Sequence, residues 1–209
     1  MNKEDLAEII GIMLGDGNLY ISTRHNAYQI RVAGNSVSDK EYLINFVKPL
    51  FEKTFGVPIH IKHVPKKHTL YVCCNSKEVC LILIRHGLTP GNKKKNNVSI
   101  PKWIFGDIKY MRACLRGLID TDGSLYPKTR KHPCASIWFS SAIPNIRRDF
   151  IFILKELEYN PSKWVYREDS TPQTCLGKST EVIRYYKEIG FSNIKHKSKF
   201  EKFYRAPVV

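Results

Sequence analysis

The 209-residue sequence has few acidic residues, no long hydrophobic run and no paired-cysteine motif. Its best apolar stretch, VCLILI at 79–84, is far shorter than the roughly 20 residues that a membrane-spanning helix requires. The first ten residues, MNKEDLAEII, contain acids where a secretion signal would carry basic residues. We therefore expect no association with a membrane, no export, and an intracellular location in the cytoplasm or an organelle.

The cysteines and histidines do not predict a metal centre. The six cysteines form no Cys-x-x-Cys pair, so free thiols in a reducing compartment are expected. His60, His63 and His68 are close in sequence, but their lysine-rich stretch supplies no companion ligand. We therefore expect surface histidines.

Acidic residues number 19 against 34 lysines and arginines, a formal net charge of +15. A soluble protein can simply be basic. Because a positively charged protein releases counterions when it binds nucleic acid, however, the excess of lysine and arginine favours a polyanionic partner. With 43% hydrophobic and 11% aromatic residues, the chain is expected to be ordered and globular. Its length suits one sizeable domain or two small ones.

The sequence contains an internal repeat. GIMLGDGNLY at 11–20 returns as GLIDTDGSLY at 117–126, and SKEVCLILIRHGL at 76–88 aligns with STEVIRYYKEIGF at 179–191. The polar segment 89–103, marked by Pro and Gly, joins the two copies. We place the repeats at 1–100 and 101–209.

Each repeat shows the same pattern of predicted elements. An apolar helix, at about 3–15 and about 108–121, ends in Asp-Gly. A hairpin, an amphipathic helix, a second hairpin and a short helix follow, by their hydrophobic periodicity. The second hairpin of the second repeat has predicted strands at 162–168 and 173–177. The prediction is an α+β fold with the order αββαββα, present twice.

Small residues recur every four positions along the two apolar helices, at Ala7, Gly11, Gly15 and at Ala113, Gly117, Thr121. Such a stripe lies on one helix face and lets two backbones approach closely. Helices packed along the stripes would bring Asp16 and Asp122 together at their C-terminal ends. A divalent cation resolves the repulsion between two such carboxylates. Taken singly, each Asp-Gly also fits a helix stop followed by a tight turn.

The strings IIGIMLGDG (9–17) and LRGLIDTDG (115–123) resemble the signature of the LAGLIDADG homing endonucleases, and the resemblance covers nearly the whole chain. It implies two pseudo-twofold-related repeats, with the signature helices at their interface and the hairpins forming a DNA-binding β-saddle. The implied function is that of a monomeric, intron-encoded endonuclease that cuts a long specific site in double-stranded DNA. Two alternatives remain within this fold, a maturase that binds its intron RNA and a DNA-binding protein that does not cleave. An intein is not expected, because neither Met1 nor Val209 is flanked by splice-junction residues.

The resemblance also implies a catalytic site. Asp16 and Asp122 would ligate Mg²⁺ with the carbonyls of Gly15 and Thr121. Mn²⁺ is an alternative metal, and Ca²⁺ would support binding without turnover. The family places a basic residue near each metal, for which the runs GNKKKN (91–96) and NIKHKSK (193–199) offer Lys93 and Lys195, with Lys94 and Lys197 as alternatives. Both runs also fit a role in phosphate contact alone.

The sixth position of the signature is Leu14 in the first copy and Asp120 in the second. Asp120 and Asp122 are separated by about 200° of helix rotation, so they cannot face the same phosphate. We predict that Asp16 and Asp122 form the catalytic pair, and that Asp120 makes a local cap or salt bridge or points into the interface.

Polar and apolar residues alternate along the predicted hairpins, which gives each one a polar face. Gln and Arg side chains read adenine and guanine edges, although a solvated hairpin would show the same alternation. The predicted DNA contacts are Tyr20, Ser22, Arg24, Gln29, Arg31, His60, Lys62, Tyr126, Lys128, Arg130 and Trp138.

Overall fold

A computed structural model describes residues 1–129 and 132–204, with the backbone alone at 128–129 and 132–133. The first repeat contains α1 (Lys3–Leu14), β1 (Gly17–Ser22), β2 (Ala27–Asn35), α2 (Lys40–Tyr42), a π-helical segment (Leu43–Val47), α3 (Lys48–Phe55), β3 (His60–Val64), β4 (Thr69–Cys74) and α4 (Lys77–Arg85). The second contains α5 (Ile108–Asp122), β5 (Gly123–Thr129), β6 (His132–Ser140), α6 (Pro144–Glu156), β7 (Gln173–Leu176), α7 (Ser179–Glu188) and α8 (Ile194–Tyr204). Short 3₁₀ turns lie at Pro65–Lys67 and Lys102–Gly106.

The α+β class and the predicted order of the first repeat are confirmed, with one irregularity in its amphipathic helix. The π-helical segment Leu43–Val47 joins α2 to α3 immediately before Pro49. Proline has no N–H to donate into the helical ladder and its ring crowds the preceding turn, so a wider turn accommodates it.

The second repeat differs from the prediction in two places. The strand predicted at 162–168 is wrong, because Val165 makes only an isolated bridge to Gln173. Main-chain bonds there are limited to the Val165 bridge and the Ser162 N–H, which donates to the Cys175 carbonyl at 2.8 Å. Side-chain bonds supplement them: the Thr174 hydroxyl donates to the Ser162 carbonyl at 2.6 Å, and the Cys175 N–H donates to the Ser162 hydroxyl at 3.0 Å. The basic run 193–199, which was not predicted as a helix, forms most of α8.

The strands form two antiparallel sheets, ordered β1-β2-β4-β3 and β5-β6-β7. One face of each sheet is apolar and packs on helices. Leu19, Ile30 and Cys74 lie side by side on the buried face of the first sheet. In the second, Phe139 stacks on Phe150 of α6 with ring centroids 4.0 Å apart. The opposite faces are left for polar side chains.

All six cysteines lie in the described part of the chain as free thiols. Among the helices of that part, none is long and apolar enough to cross a membrane.

Candidate functional site

The centre of the molecule is the close contact between α1 and α5. A Cβ atom added to Gly11 would overlap the carbonyl oxygen of Cys114, and one added to Gly117 would overlap the carbonyl of Glu8. A Cβ at Gly15 would overlap the Thr121 hydroxyl and would lie 3.4 Å from the Asp122 carboxylate. The small-residue stripes therefore meet backbone to backbone as predicted, and the helix ends that carry the two signature aspartates lie together.

The glycine after each aspartate permits a tight turn from helix to strand. A Cβ at Gly17 would overlap the backbone of Met13, and one at Gly123 would overlap the backbone of Ile119. Each strand therefore folds back directly over the last turn of its own helix. This turn fixes the preceding aspartates, Asp16 and Asp122, at matching places in the two repeats.

The two carboxylates reach solvent, yet the protein surrounds them closely enough to disfavour their charge. Burial, followed by the charge of Asp16, raises the pKa of Asp122 to about 7, and the ammonium of Lys93 opposes this shift. Burial also raises the pKa of Asp16, against the opposing charge of Lys93. Two neighbouring carboxyl groups whose ionised forms are disfavoured by burial and mutual repulsion are typical of a site that binds cations.

Lys93 lies close enough to both aspartates for its charge to act on each of them. Its ammonium donates to three carbonyl oxygens at the end of α1, those of Met13 at 3.3 Å, Leu14 at 2.9 Å and Gly15. Burial lowers the pKa of Lys93, while the charges of Asp122 and Asp16 raise it. Its neighbours Lys94 and Lys95 are exposed. The structure thus places Lys93 at the aspartate pair, and Lys94 lines the mouth of the adjoining cleft.

Lys195 has a different environment from Lys93. Its ammonium donates to the carboxylate of Asp39, at the start of α2 in the first repeat, at 2.6 Å. Burial of Asp39 would raise its pKa, but the bonds from Lys195 and from the backbone of Asn35 outweigh burial, and the pKa is lowered. The charges of Asp39 and Lys195 both act on Asp16. Asp39 was missed from the sequence, since its pattern there is that of an ordinary helix N-cap.

Asp120 has no access to the cleft. It is 1% exposed, and its carboxylate accepts the Ser192 N–H at 2.7 Å. The Asn193 side chain donates to the Asp120 carbonyl at 3.1 Å. Asp120 therefore caps the loop before α8, in agreement with the expected local role.

A buried ion pair beside Asp120 joins the two signature helices. Arg116 of α5 donates twice to the carboxylate of Glu8 in α1, at 3.0 and 2.5 Å, and once to the carbonyl of Ile189 at 2.9 Å. The Ser192 hydroxyl donates to Glu8 at 2.7 Å. This network ties both helices to the segment that carries Lys195, and sequence analysis missed it.

Most predicted contacts of the first repeat share the polar face of its sheet. Strand register places Tyr20 opposite Gln29, and Cys73 lies between Arg31 and His60. Lys62 pairs with Tyr71, whose ring lies 6.0 Å from the Arg31 guanidinium. Ser22 ends β1, whereas Arg24 lies in the hairpin turn rather than on a strand. The residues on this face that sequence analysis missed, although the same alternation marks them, are Asn18, Tyr71 and Asn75, the last of which accepts from Gln29 at 2.8 Å.

The second sheet carries two of the predicted contacts on its outer face. Tyr126 and Trp138 lie on this face, opposite Ser136 and Ser124 respectively. Tyr126 is exposed, and the Lys199 ammonium of α8 lies 5.7 Å from its ring centroid. Lys128 belongs to β5, but its side chain and the whole of Arg130 lie outside the described residues.

A cleft of about 510 Å³ opens beside the aspartate pair. Asp122, Gly15, Asn18 and Lys93 line one side, and the segment 140–143 of the second repeat lines another. Gly15 and Asp122 therefore face a space that reaches Asn18 on the polar face of β1. Within the described residues, no cluster of three or more His, Cys, Asp or Glu side chains forms a ready metal cage, so a cation here would also need backbone carbonyls.

Comparison with known proteins agrees with the repeat and its signature. Residues 109–190 match the family described as LAGLIDADG-like domain. Over 148 residues, 68% of this chain, the sequence is 30% identical to the replication factor C small subunit of Methanocaldococcus jannaschii. The chain spans about 8% of the length of that relative.

The fold is that of solved LAGLIDADG structures. Mesophilic variants of the homing endonuclease I-DmoI superpose with a TM-score of 0.64 at 15% identity, covering 90% of this chain and 96% of theirs. I-DmoI in complex with DNA and Mn gives 0.63 at 14% identity, covering 90% and 98%. The N-terminal LAGLIDADG domain of DUF199/WhiA gives 0.59 at 17% identity, covering 90% and 83%.

The paired repeats, the signature helices and the aspartates at their ends define a two-repeat α+β protein of the homing endonuclease fold. Residues 109–190 match the LAGLIDADG-like domain family, and the chain as a whole has the fold of solved LAGLIDADG proteins.

Proposed function

We propose that the protein is a site-specific DNA endonuclease that hydrolyses both strands of a long target with the help of a divalent metal, acting as a monomer. The observation that carries this proposal is the meeting of Asp16 and Asp122 at the ends of the packed signature helices, with the Lys93 ammonium beside them. Each phosphodiester requires its own acid, and the two acids come from different repeats.

The donor set fits a hard dication. Asp16 and Asp122 would hold it together with the carbonyl oxygens of Gly15 and Thr121, and all of these are oxygen ligands of the kind that Mg²⁺ and Mn²⁺ prefer. The raised pKa values of both acids mark the repulsion that a dication would offset. When bound, such a metal supplies activated water and stabilises charge on the phosphate and the leaving oxygen. The complex of I-DmoI with DNA and Mn supports the same class of cofactor.

The chain's own side chains would position the substrate. The polar faces of both sheets begin directly after the aspartates, so DNA lying across them would pass over the acids. Tyr20, Gln29, Arg31, His60 and Lys62 supply base-edge and phosphate contacts on the first sheet. Lys93 and Lys195 supply positive charge beside the reacting phosphates and orient water.

A second candidate is a DNA-binding protein that does not cleave, which the likeness to the LAGLIDADG domain of DUF199/WhiA favours. The two acids argue for cleavage, because a surface that only binds phosphate has no use for carboxylates there. Intron RNA is a further substrate to be tested alongside DNA.

The test begins with selection of cleaved sites from a random DNA library in Mg²⁺. Asp16→Asn and Asp122→Asn are then compared in plasmid cleavage with Mg²⁺ and in gel shift with Ca²⁺. We expect each variant to lose double-strand cleavage and to keep DNA binding.

Asp120→Asn is the matched control, with the same chemical change two residues away on the buried side of α5. It should retain most of the cleavage. A protein that selects and binds a DNA site but never cuts it would favour the non-cleaving candidate. A normal Asp122→Asn beside an inactive Asp120→Asn would overturn the assignment of the acids.

A further inference from the structure

The Lys93 ammonium occupies the C-terminal carbonyls of the first signature helix. The last carbonyls of a helix have no partner within the helix and lie at the negative end of its dipole. An ammonium has three hydrogens to donate, and Lys93 uses them on the carbonyls of Met13, Leu14 and Gly15. The side chain therefore supplies the positive charge that the last turn of α1, which has no basic residue, does not provide.

The loop after α4 is built to hold Lys93 in this position. The Gly91 N–H donates to the Leu19 carbonyl at the free edge of β1, at 2.9 Å, with a φ of +90° that favours glycine. The Lys93 carbonyl accepts from the Val98 N–H at 3.2 Å, which closes the loop behind it. Of the three lysines in the run, Lys93 is the one that is partly buried.

Two cations, the Lys93 ammonium and a bound divalent metal, would compete for the carbonyl oxygen of Gly15. This oxygen accepts a hydrogen bond from Lys93, and it belongs to the residue that precedes Asp16 and whose Cβ position lies 3.4 Å from the Asp122 carboxylate, so a cation held by the two acids would use it as a ligand. An ammonium and a divalent cation repel each other and cannot share one oxygen at bonding distance. One must move when the other binds.

We propose that Lys93 is a built-in counter-ion that competes with the divalent cation for the end of α1, so that metal loading requires its ammonium to leave the Gly15 carbonyl. This inference rests on the metal site of the proposed function. Bound DNA offers the displaced ammonium a phosphate as its new partner. Metal affinity is therefore low in the free protein and rises when DNA is bound, which restrains cleavage until a site is occupied.

The competition is confined to one of the two signature helices. At the end of α5, the Asp120 carbonyl accepts from the Asn193 amide at 3.1 Å, and Lys195 is engaged by Asp39 at 2.6 Å. No described lysine contacts the α5 carbonyls as Lys93 contacts those of α1. The two sides of the metal site are therefore unequal, and Lys93 competes only for the ligand that α1 supplies, the Gly15 carbonyl.

The experiment measures binding of Mn²⁺ alone to the DNA-free protein, by the loss of the free-ion signal in electron paramagnetic resonance. Lys93→Met should bind Mn²⁺ at least about tenfold more tightly than the wild type, because a unit positive charge beside the ligands is removed. Lys94→Met, which removes an exposed charge one residue away, should bind as the wild type does. Lys93→Gln is the second variant, since its amide can still cap the helix and preserve the fold.

Adding Asp16→Asn to Lys93→Met should abolish the gain. Unchanged or weaker Mn²⁺ binding in both Lys93 variants would overturn the proposal, and so would a gain that survives Asp16→Asn. The readout needs neither DNA nor turnover, so a protein that never cleaves would refute the proposed function while leaving this result standing.

Discussion

At the scale of single residues, environment separates side chains that the sequence places side by side. Asp120 and Asp122 stand two residues apart in one signature, yet Asp120 is buried against Ser192 and Asp122 faces the cleft. Helical rotation alone predicts that they point apart. It does not predict what Asp120 meets, because Ser192 arrives from a loop about seventy residues further along the chain.

His196 is a residue for which burial predicts a pH effect on stability. It is 1% exposed, and burial, followed by the ammonium groups of Lys195 and Lys199, lowers its pKa from 6.5 to about 4. The unfolded chain takes up a proton at this histidine as pH falls below about 6.5, whereas the folded protein does not until about pH 4. Acidification through this window therefore favours unfolding, by roughly 2–4 kcal/mol when complete.

His196→Leu should remove this loss, because leucine fills a similar volume without titrating. Urea unfolding at pH 7.5 and pH 5 measures the change, and we expect the free energy of unfolding to fall less in the variant than in the wild type. His63→Leu, at an exposed histidine, serves as the control and should follow the wild type. Equal acid losses in His196→Leu and the wild type would show that His196 is protonated in the folded state.

At the scale of elements, the helix pair depends on the absence of side chains at two positions. Gly11→Ala or Gly117→Ala adds one carbon that overlaps the backbone of the facing helix, and backbone cannot turn aside as a side chain can. We expect each variant to lose roughly 1–3 kcal/mol of stability, the usual range for overpacking.

Gly106→Ala is the matched control for these helix-interface variants. A Cβ there would meet nothing within 4 Å, so its stability should stay within about 0.5 kcal/mol of the wild type. Chemical denaturation of the three variants measures all of this. Gly11→Ala and Gly117→Ala proteins as stable as Gly106→Ala would mean that the two helices can separate at little cost.

Elements with a strong periodic pattern were predictable, and those held by distant side chains were not. The signature helices, the hairpins of the first sheet and the turn at each Asp-Gly follow from spacing and glycine placement within one segment. The strand expected at 162–168 does not form, because its main-chain bonds are limited to Ser162 and Val165 and the hydroxyl groups of Ser162 and Thr174 make the other bonds there. The alternation of polar and apolar residues in a sequence does not indicate such side-chain hydrogen bonds.

The sequence predicted the aspartates of the candidate site better than its lysines. Two copies of Asp-Gly on matched stripes locate Asp16 and Asp122, since both lie on helices with an interpretable face. The two lysines follow loops, and their partners belong to other elements: α1 carbonyls for Lys93, and Asp39 of the opposite repeat for Lys195. A prediction based on repeat symmetry gives both lysines equal roles, whereas their contacts differ.

At the scale of the whole molecule, positively charged side chains lie both on the polar face of the first sheet and on helices that pack behind the sheets. The net charge of +15 includes exposed cations on the polar face of the first sheet, such as Lys62 in β3. Others lie on helices behind the sheets, such as Lys155 near the end of α6, the helix whose Phe150 packs under Phe139. Only the first group lies where DNA would cross both repeats.

The salt dependence of DNA binding shows whether the positive charges contact DNA at particular positions or act only through the net charge of the protein. Affinity should fall steeply with rising salt, because each phosphate neutralised by Lys or Arg releases a counterion. Lys62→Gln and Lys155→Gln lower the net charge by the same amount, so any difference between them comes from position alone. We expect Lys62→Gln to reduce the slope of log affinity against log salt by about 1, and Lys155→Gln to leave it unchanged. Fluorescence anisotropy with one labelled duplex across a salt series gives both slopes. Equal slopes in the two variants would mean that DNA responds to the total charge and does not lie on the polar face of the first sheet.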